Sequence, residues 1–562
     1  MNVSLPSVLA GLLRPEAYPH PVDRIELVET HISWVLLAGP YAYKIKRPVR
    51  YDFIDLTSRD RRRFLCEEEL RLNRRFAPEL YLDVCRIVSA NGGVAIVAGR
   101  NDEARTIEYA VKMQRFSDID ALDRLLDARR IHPQELESFG RALAQIHARL
   151  PAASIASKWG TSAEIHAQLI RNLLECAEAS ATFDGSNDVL ALRQPLEQKI
   201  VDAAASMEAR RANGSVRECH GDLHTRNIVR IRGRLIAFDC LEYDPAFRWI
   251  DVADEIAFLL SDLRARDRPR HAHAFRSGYL GESGDYDACR VLSLYESHRA
   301  LVRAKVAALS AVHCEDAAQR DLLRRECSRL IEVAAEALAA QTPRMVLMSG
   351  LSGSGKTWLA QQLAERLSAV HVRSDVERKR QAGLRELGVS HAGLAEGLYS
   401  VESSAALYEG LARAADSVLT GGISVILDAT FLRRAQRARF IELAASRGVP
   451  LRLIQCEAPQ PVLRARIVER SRLRRDASEA DLKVLEWQAA HLEALAPEEE
   501  IEVIRIDTAH PDALNRTLRA LGGFAARAHG ACARTGDCRT ELDQSQSERP
   551  RPGATSITMR TS

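Results

Sequence analysis

Gly350-Leu351-Ser352-Gly353-Ser354-Gly355-Lys356-Thr357 fills every position of G-x-x-x-x-G-K-[ST], directly after the apolar run Met345-Val346-Leu347-Met348. The run reads as a buried strand, and Trp358 to Leu367 beyond the loop carries helical periodicity. A strand, a glycine-rich turn and a helix in that order bring successive backbone N–H groups and the positive end of a helix to one point, which is how phosphate groups are held. In that frame Gly350, Ser352, Gly353, Ser354 and Gly355 form the cradle. Lys356 reaches the β/γ-phosphates and Thr357 holds Mg²⁺.

A second phosphate-handling pattern lies upstream, in His220-Gly221-Asp222-Leu223-His224-Thr225-Arg226-Asn227. Asp222 is placed to accept a hydroxyl proton and Asn227, five residues on, to bind Mg²⁺, a spacing that resembles the kinase catalytic loop. Asn227 to Ile231 and Arg234 to Phe238 read as a hairpin turned by Arg232-Gly233. Asp239 closes the second strand, in the position of the metal-binding Asp of a kinase D-F-G. Taken singly, these residues are equally good loop caps or turn formers; their joint order and spacing are what point to phosphoryl transfer.

The 562 residues exceed what one core supports, since domains usually run to roughly 100–200 residues. With 46% hydrophobic and 28% charged residues the composition is that of a soluble globular protein. No apolar run is long enough to span a bilayer. The apolar stretch Leu5 to Leu13 has no basic residue before it and no small-residue cleavage pattern after it, so export is not expected. Eleven cysteines without C-x-x-C pairs fit a reducing compartment, and the expected localisation is cytoplasmic. A net charge of +3 argues against a dedicated nucleic-acid surface. Lysines number only nine, and Lys44, Lys46 and Lys356 are three of them.

Ile25 to Val28, Trp34 to Leu37 and Tyr41 to Lys46 alternate as strands of an antiparallel sheet, joined later by Thr106 to Met113, and together resemble a kinase amino-terminal lobe. Lys44 and Lys46 share one strand face, and only one of them need bind phosphate. Arg59 to Phe76 reads as a helix with Leu65, Leu72 and Phe76 on one stripe; Glu68 falls on that stripe, flanked by Glu67 and Glu69. Glu68 is thus the candidate lysine partner, with its two neighbours as alternatives. Gln114-Arg115-Phe116 stands where a kinase hinge meets adenine. Amphipathic stretches at Ser138 to Leu150, Ser162 to Ala179 and Val291 to Ala339 predict a helical lobe.

Gln341-Thr342-Pro343 breaks the last helix before the glycine-rich loop. Strands at Met345 to Ser349, Val370 to Arg373, Ser424 to Asp428, Leu451 to Cys456 and Ile501 to Ile506 then alternate with helices, as a parallel sheet requires. The expected fold class is multidomain α+β and α/β, with a bilobal kinase-like unit followed by a P-loop unit with a parallel sheet. The expected domains are 1–115 (amino-terminal lobe), 116–340 (helical lobe), 341–525 (P-loop domain) and 526–562, a polar tail expected to be disordered.

Pro21-Val22-Asp23 through Trp34, Cys66 through Arg75 and His220 to Asn227 together resemble the aminoglycoside-phosphotransferase-like domain that bacteria fuse to a P-loop kinase-like domain. The resemblance covers nearly everything but the tail, although Thr30-His31-Ile32-Ser33 departs from the G-x-G-x-x-G of protein kinases. It implies ATP and Mg²⁺ as cofactors. Its A-x-K pattern favours Lys44 as the phosphate-binding lysine, and Asp251 stands where related phosphotransferases support the catalytic loop. The second half is similar to small P-loop kinases. Asp375-x-x-Arg378 resembles the polynucleotide-kinase pair in which Asp takes the acceptor proton and Arg orients it, with Asp375 at the end of the second strand. Asp428 ends an apolar strand as a Walker B acid would.

An arginine series follows the fourth strand: Arg464, Arg466, Arg470, Arg472, Arg474 and Arg475. Arg466 and Arg470 share a helical face suited to clamping phosphoryl oxygens. The expected function is a phosphotransferase with two ATP sites and an unidentified small-molecule hydroxyl acceptor, with no membrane partner. The alternatives are that only the P-loop half is active while the first half regulates it, or that the chain is an ATP-dependent switch. End phosphorylation of nucleic acid is disfavoured by the near-neutral charge.

Overall fold

The structure is a computed structural model that describes residues 5–51, 54–90, 93–99, 106–183, 185–384, 401–473 and 477–522. The expected tail at 526–562 and Arg474 and Arg475 lie outside the described residues.

Six antiparallel strands open the chain, in the spatial order Ile25–Glu29, Ser33–Ala38, Tyr41–Lys46, Thr106–Gln114, Tyr81–Ala90, Gly93–Val97. The last two were not read from the sequence. Because side chains alternate along a strand, Tyr43 and Ile45 face one way, into a cluster with Val8 and Leu12 of the helix Leu5–Leu12. Ala42, Lys44 and Lys46 face the other way, toward Cys66 and Leu70 of the helix Arg59–Asn73.

That helix buries two flanks, which decides which acid meets the lysines. Leu72 and Phe76 beyond it pack on the helical lobe, whereas Arg62, Cys66 and Glu69, three to four residues apart, form the flank against the sheet. Glu68 lies off that flank, so the expectation for Glu68 is corrected to Glu69: Glu68 bonds Arg71 at 2.8 Å and approaches Arg248 at 3.6 Å.

The helical lobe is built around Val252–Ala265, in which every residue from Val252 to Leu263 is buried. Cys289–His313, Pro269–Ser283 and Ala317–Leu338 pack against it, while Pro133–Arg149 packs on Pro269–Ser283, and Ser162–Ser180 and Arg193–Ala212 pack on Cys289–His313. The predicted stretch Val291 to Ala339 is two helices, because Asp316 caps a new start at Ala317–Leu338 with its carboxylate on the Ala318 and Gln319 amides. Ile228–Ile231 and Arg234–Ala237 form the expected hairpin, with Arg232 and Gly233 both at positive φ, 48° and 76°.

In the second half five parallel strands run in the order Val370–Arg373, Val425–Asp428, Met345–Ser349, Leu451–Glu457, Glu502–Asp507. Both faces of the central strand are covered. Met345 and Leu347 join the core that continues into the helical lobe, and Val346 and Met348 pack with Leu359, Leu363 and Ile504. The two halves therefore share one apolar core. All cysteines among the described residues are unbridged, and all but Cys314 are buried. Among the described residues no helix is long and apolar enough to cross a membrane.

Candidate active sites

In the first half, the Lys44 ammonium lies 2.9 Å from Glu69 Oε1 and 2.5 Å from Asp239 Oδ1. Lys46, fully buried two residues along the same face, bonds the other Glu69 oxygen at 2.5 Å and the Glu242 carboxylate. Burial alone would raise the Glu69 carboxyl, but the two ammonium groups outweigh it and hold it at about 2. Lys44, of the two candidate lysines, is the one that reaches Asp239; Lys46, the alternative, and Glu242, which had no assigned role, form the inner half of the cluster. Asp239 has a positive φ of 64°, and its side chain stays 44% exposed. Its backbone N–H donates to Tyr81 Oη at 3.1 Å.

The loop 220–227 is stitched to the Asp239 segment. Asn227 O accepts from the Phe238 amide at 2.9 Å, His220 O accepts from the Leu241 amide at 3.1 Å, and His220 Nε2 lies 2.8 Å from Phe238 O. Burial lowers the His220 imidazole to about 4, which suits a neutral ring held by that carbonyl. Within the loop, Asn227 Nδ2 donates to Asp222 Oδ2 at 2.8 Å and to Asp222 O at 3.0 Å. Burial works to raise the Asp222 carboxyl, yet His224, 3.4 Å away, and then His220 and Arg303 hold it well below the carboxylate range. Asp222 is thus kept as an anion. Gly221 is at φ +87°, and a Cβ there would stand 2.6 Å from Phe247 O.

Loop support differs from the expectation for Asp251. Asp251 caps the helix Val252–Ala265 and pairs with Arg210, both Nε–Oδ2 and Nη2–Oδ1 being 2.8 Å. Glu255, one turn further, accepts the His220 amide at 2.7 Å and the Gly221 amide at 2.9 Å. Asp262 accepts from Thr225, N–H and Oγ, at 2.8 and 2.6 Å. The acidic spacing in Asp251, Asp254, Glu255 and Asp262, buried along an otherwise apolar helix, is the sequence signal that could have found them.

In the second half, Gly350, Gly353 and Gly355 adopt φ of +139°, +80° and +81°, so the loop coils tightly before the helix Lys356–Leu367. Lys356 Nζ donates to Leu351 O at 2.9 Å, and burial lowers its ammonium because the nearby carboxylates only partly compensate. Asp428 is buried at the end of its strand with Oδ2 3.3 Å from His371 Nε2. Burial would raise the Asp428 carboxyl, but His371 and then Lys356 keep it lowered. Ser352 N–H donates to Gln488 Oε1 at 2.8 Å, and Thr508 Oγ1 to Ser354 O at 2.6 Å.

A cavity of about 550 Å³ opens over this loop. It is lined by Ser352, Gly353, Gly355, Lys356 and Thr357, by Asp375 and Arg378, by Asp428, and by Arg466 and Arg470. Asp375 is not at the end of the strand, as expected, but in the first turn of the helix Ser374–Gln381, because the strand stops at Arg373. Arg466 donates to Thr508 Oγ1 and O at 3.0 Å and to Gly353 O at 3.3 Å, locking the helix Gln460–Leu473 onto the loop. Arg470 donates to Ala480 O at 2.7 Å. Arg464 instead points to Glu486, 3.3 Å away. Gln488 and Thr508 were missed because their partners are loop backbone atoms far away in the chain.

Residues 56–292 match the phosphotransferase enzyme family, and residues 345–495 match the AAA domain. The chain joins a phosphotransferase-family segment to an AAA-type P-loop segment. Uncharacterized proteins of Mycobacterium bovis and Mycobacterium tuberculosis are 29% identical to it over 503 residues, 88% of this chain and 94% of theirs. Among solved structures the chain is similar to a gluconokinase from Sinorhizobium meliloti, 20% identical over 33% of this chain and 95% of that one, with a TM-score of 0.25. It is also similar to an ethanolamine kinase from Plasmodium vivax, 13% identical over 56% and 82% of the two chains, with a TM-score of 0.34. The phosphotransferase segment contains Glu69, Asp222, Asn227 and Asp239; Lys44 stands before it. The AAA segment contains the glycine-rich loop, Asp375, Asp428, Arg466 and Arg470. Both are kinase-like, and the second is a P-loop nucleotide fold.

Proposed function

We propose that each half transfers the γ-phosphoryl group of ATP to a hydroxyl of a small-molecule acceptor. For the P-loop half the observation that carries this is the convergence, in one cavity, of a glycine-rich loop, a partly buried lysine, a buried carboxylate and a second carboxylate standing apart from the loop. Phosphoryl transfer asks for positioning, charge neutralisation and a proton acceptor, and little else. The residues fit a magnesium-bound triphosphate: Lys356 is a desolvated cation with a backbone carbonyl as its hydrogen-bond partner, and Gly353 and Gly355, at positive φ and packed without side chains against Leu463 and Thr508, let the loop coil so that its amides gather at one point.

In the P-loop half, Lys356 and the loop amides would bind the β- and γ-phosphates, Thr357 and Asp428 would hold the metal, and Arg466 and Arg470 would meet charge spread over the transferred group. Asp375 would take the acceptor's proton while Arg378 orients the hydroxyl. The acceptor oxygen forms the new bond to phosphorus, the bond to the ADP oxygen breaks, and the proton leaves with Asp375. In the first half, Lys44, fixed by Glu69, would bind phosphate, Asn227 and Asp239 would hold the metal, and Asp222 would be the base. The bound Mg²⁺ would supply neutralisation of the phosphate oxygens.

ADP release by the full-length protein with Asp222→Asn and, separately, Lys356→Ala tests both assignments. Each substitution is expected to remove one component of turnover. If only Lys356→Ala lowers it, the first half is not an enzyme. Screening sugar, aminoglycoside, nucleoside and small-alcohol acceptors against these variants assigns an acceptor to each half, and a rate indifferent to every acceptor sinks the transfer reading.

A further inference from the structure

The helix Ser374–Gln381 has two working faces. One carries Asp375 and Arg378 to the P-loop cavity. The other meets the phosphotransferase half. Tyr286 Oη donates to Glu377 Oε1 at 2.8 Å, and the Arg380 guanidinium donates to Gly281 O and to the same Glu377 carboxylate. Arg380 lies so close over Gly284 that a Cβ there would come within 2.6 Å of a guanidinium nitrogen.

A second wall of the cavity docks on the same segment. The helix Val401–Thr420 presents Leu407 and Tyr408 to the cavity. Near its end Asp416 accepts from Arg290 at 2.6 Å and Ser417 donates to Asp287 at 2.5 Å. A Cβ on the following Gly421 would lie 2.0 Å from Cys289 O. The segment Gly281–Arg290 is itself anchored, since buried Arg210 bonds Asp285 at 2.7 and 2.8 Å as well as Asp251.

We infer that Gly281–Arg290 of the phosphotransferase half supports two walls of the P-loop site from behind, with Tyr286 and Arg380 as positioning residues that set where Asp375 and Arg378 stand. A helix of eight residues has too few turns to hold itself, so its orientation comes from what it is docked on. It also packs on the helix Val401–Thr420 and the strand Val370–Arg373, buries Val376 and pairs Lys379 with Glu479 at 3.1 Å. The inference rests on the proposed role of Asp375 as proton acceptor.

The test uses the full-length protein carrying Asp222→Asn, so that MgATP-dependent ADP release, with water as acceptor, comes from the P-loop half. Tyr286→Phe and Arg380→Gln are expected to speed amide exchange across 374–381 by about fivefold, one hydrogen bond's worth, while 356–367 stays protected. The kcat for ADP release is expected to fall about tenfold with the KM for ATP unchanged, and Arg380→Lys to recover part of it. Unchanged exchange across 374–381, or faster exchange with unchanged kcat, overturns the inference. Asp375→Asn separates the two failures: full ADP release in that variant, with normal exchange, removes the proton-acceptor reading and leaves the docking contact to the exchange result alone.

Discussion

The Glu69 carboxylate bridges two lysines of one strand, standing 2.9 Å from Lys44 and 2.5 Å from Lys46, with no exposed surface of its own. Three buried or half-buried charges would be costly apart; together with Asp239 and Glu242 they satisfy one another. Lys44 is held pointing at Asp239, and the inner pair Lys46 and Glu242 fixes the carboxylate that holds it.

Replacing Glu69 by Gln leaves two buried ammonium groups short of a counter-charge, which costs about 3–5 kcal/mol. Glu68→Gln touches the pair with half-exposed Arg71 and a 3.6 Å approach to buried Arg248, which keeps its bond to Glu218, and is expected to cost about 1 kcal/mol. Urea unfolding of the two variants should differ accordingly. Because the Glu69 carboxyl is held below its unfolded value, its contribution is present above about pH 4.3 and lost as pH falls toward 2. Equal losses in the two variants would mean that the helix is turned by one residue.

What could be read from the chain and what could not divides along sequence distance. The glycine-rich loop, its strand and helix, and the hairpin after Asn227 are local patterns, and the residues that make them also make the site. The face shared by Lys44 and Lys46 follows from the period of a strand. Glu69 did not follow, because the helix buries two flanks and the larger apolar residues, Leu72 and Phe76, mark the flank that faces away from the sheet. Glu255, Gln488 and Thr508 hold loop backbone across 34 to 154 residues of chain, and no local spacing encodes such contacts.

Gly353→Ala tests the cradle by geometry. At φ +80° an alanine is strained by about 1–3 kcal/mol. Its Cβ would also stand 2.7 Å from Leu463 O, on the helix that carries Arg466. The helix must back away, and Arg466 loses its bond to Gly353 O. MgADP binding at the P-loop site is expected to weaken at least tenfold, or about 1.4 kcal/mol. Unchanged affinity by calorimetry would place the nucleotide elsewhere.

Lys356→Met should separate binding from stability. Burial lowers the Lys356 ammonium, so the folded protein bears a cost for that charge while no anion meets it. The variant is expected to be as stable as the parent, or up to about 1 kcal/mol more stable, without nucleotide. Calorimetric titration with MgADP is expected to lose one of two sites. Retention of both sites, or a large loss of stability, contradicts the assignment of Lys356 as a phosphate ligand.

Glu255 gives the fold a pH dependence of opposite sign to that of Glu69. Burial pushes its carboxyl up to about 7, against the two loop amides and Arg299, which favour the anion. The unfolded value is about 4.3, so between these values the folded state keeps a proton that the unfolded chain has released. Stability from this group is complete below about pH 4.3 and falls as pH rises to 7, by up to about 1.4 kcal/mol per pH unit. Glu255→Gln removes the titration and sets an amide N–H₂ against one of the two backbone donors, His220 or Gly221, at a cost of about 1–3 kcal/mol. The stability of the parent minus that of the variant should decline from pH 4.5 to 7. Because the displaced loop carries Asp222, the first site's turnover should drop about 10- to 100-fold. A difference curve flat across that range would show that Glu255 is ionised throughout, with its charge stabilised by the two amides.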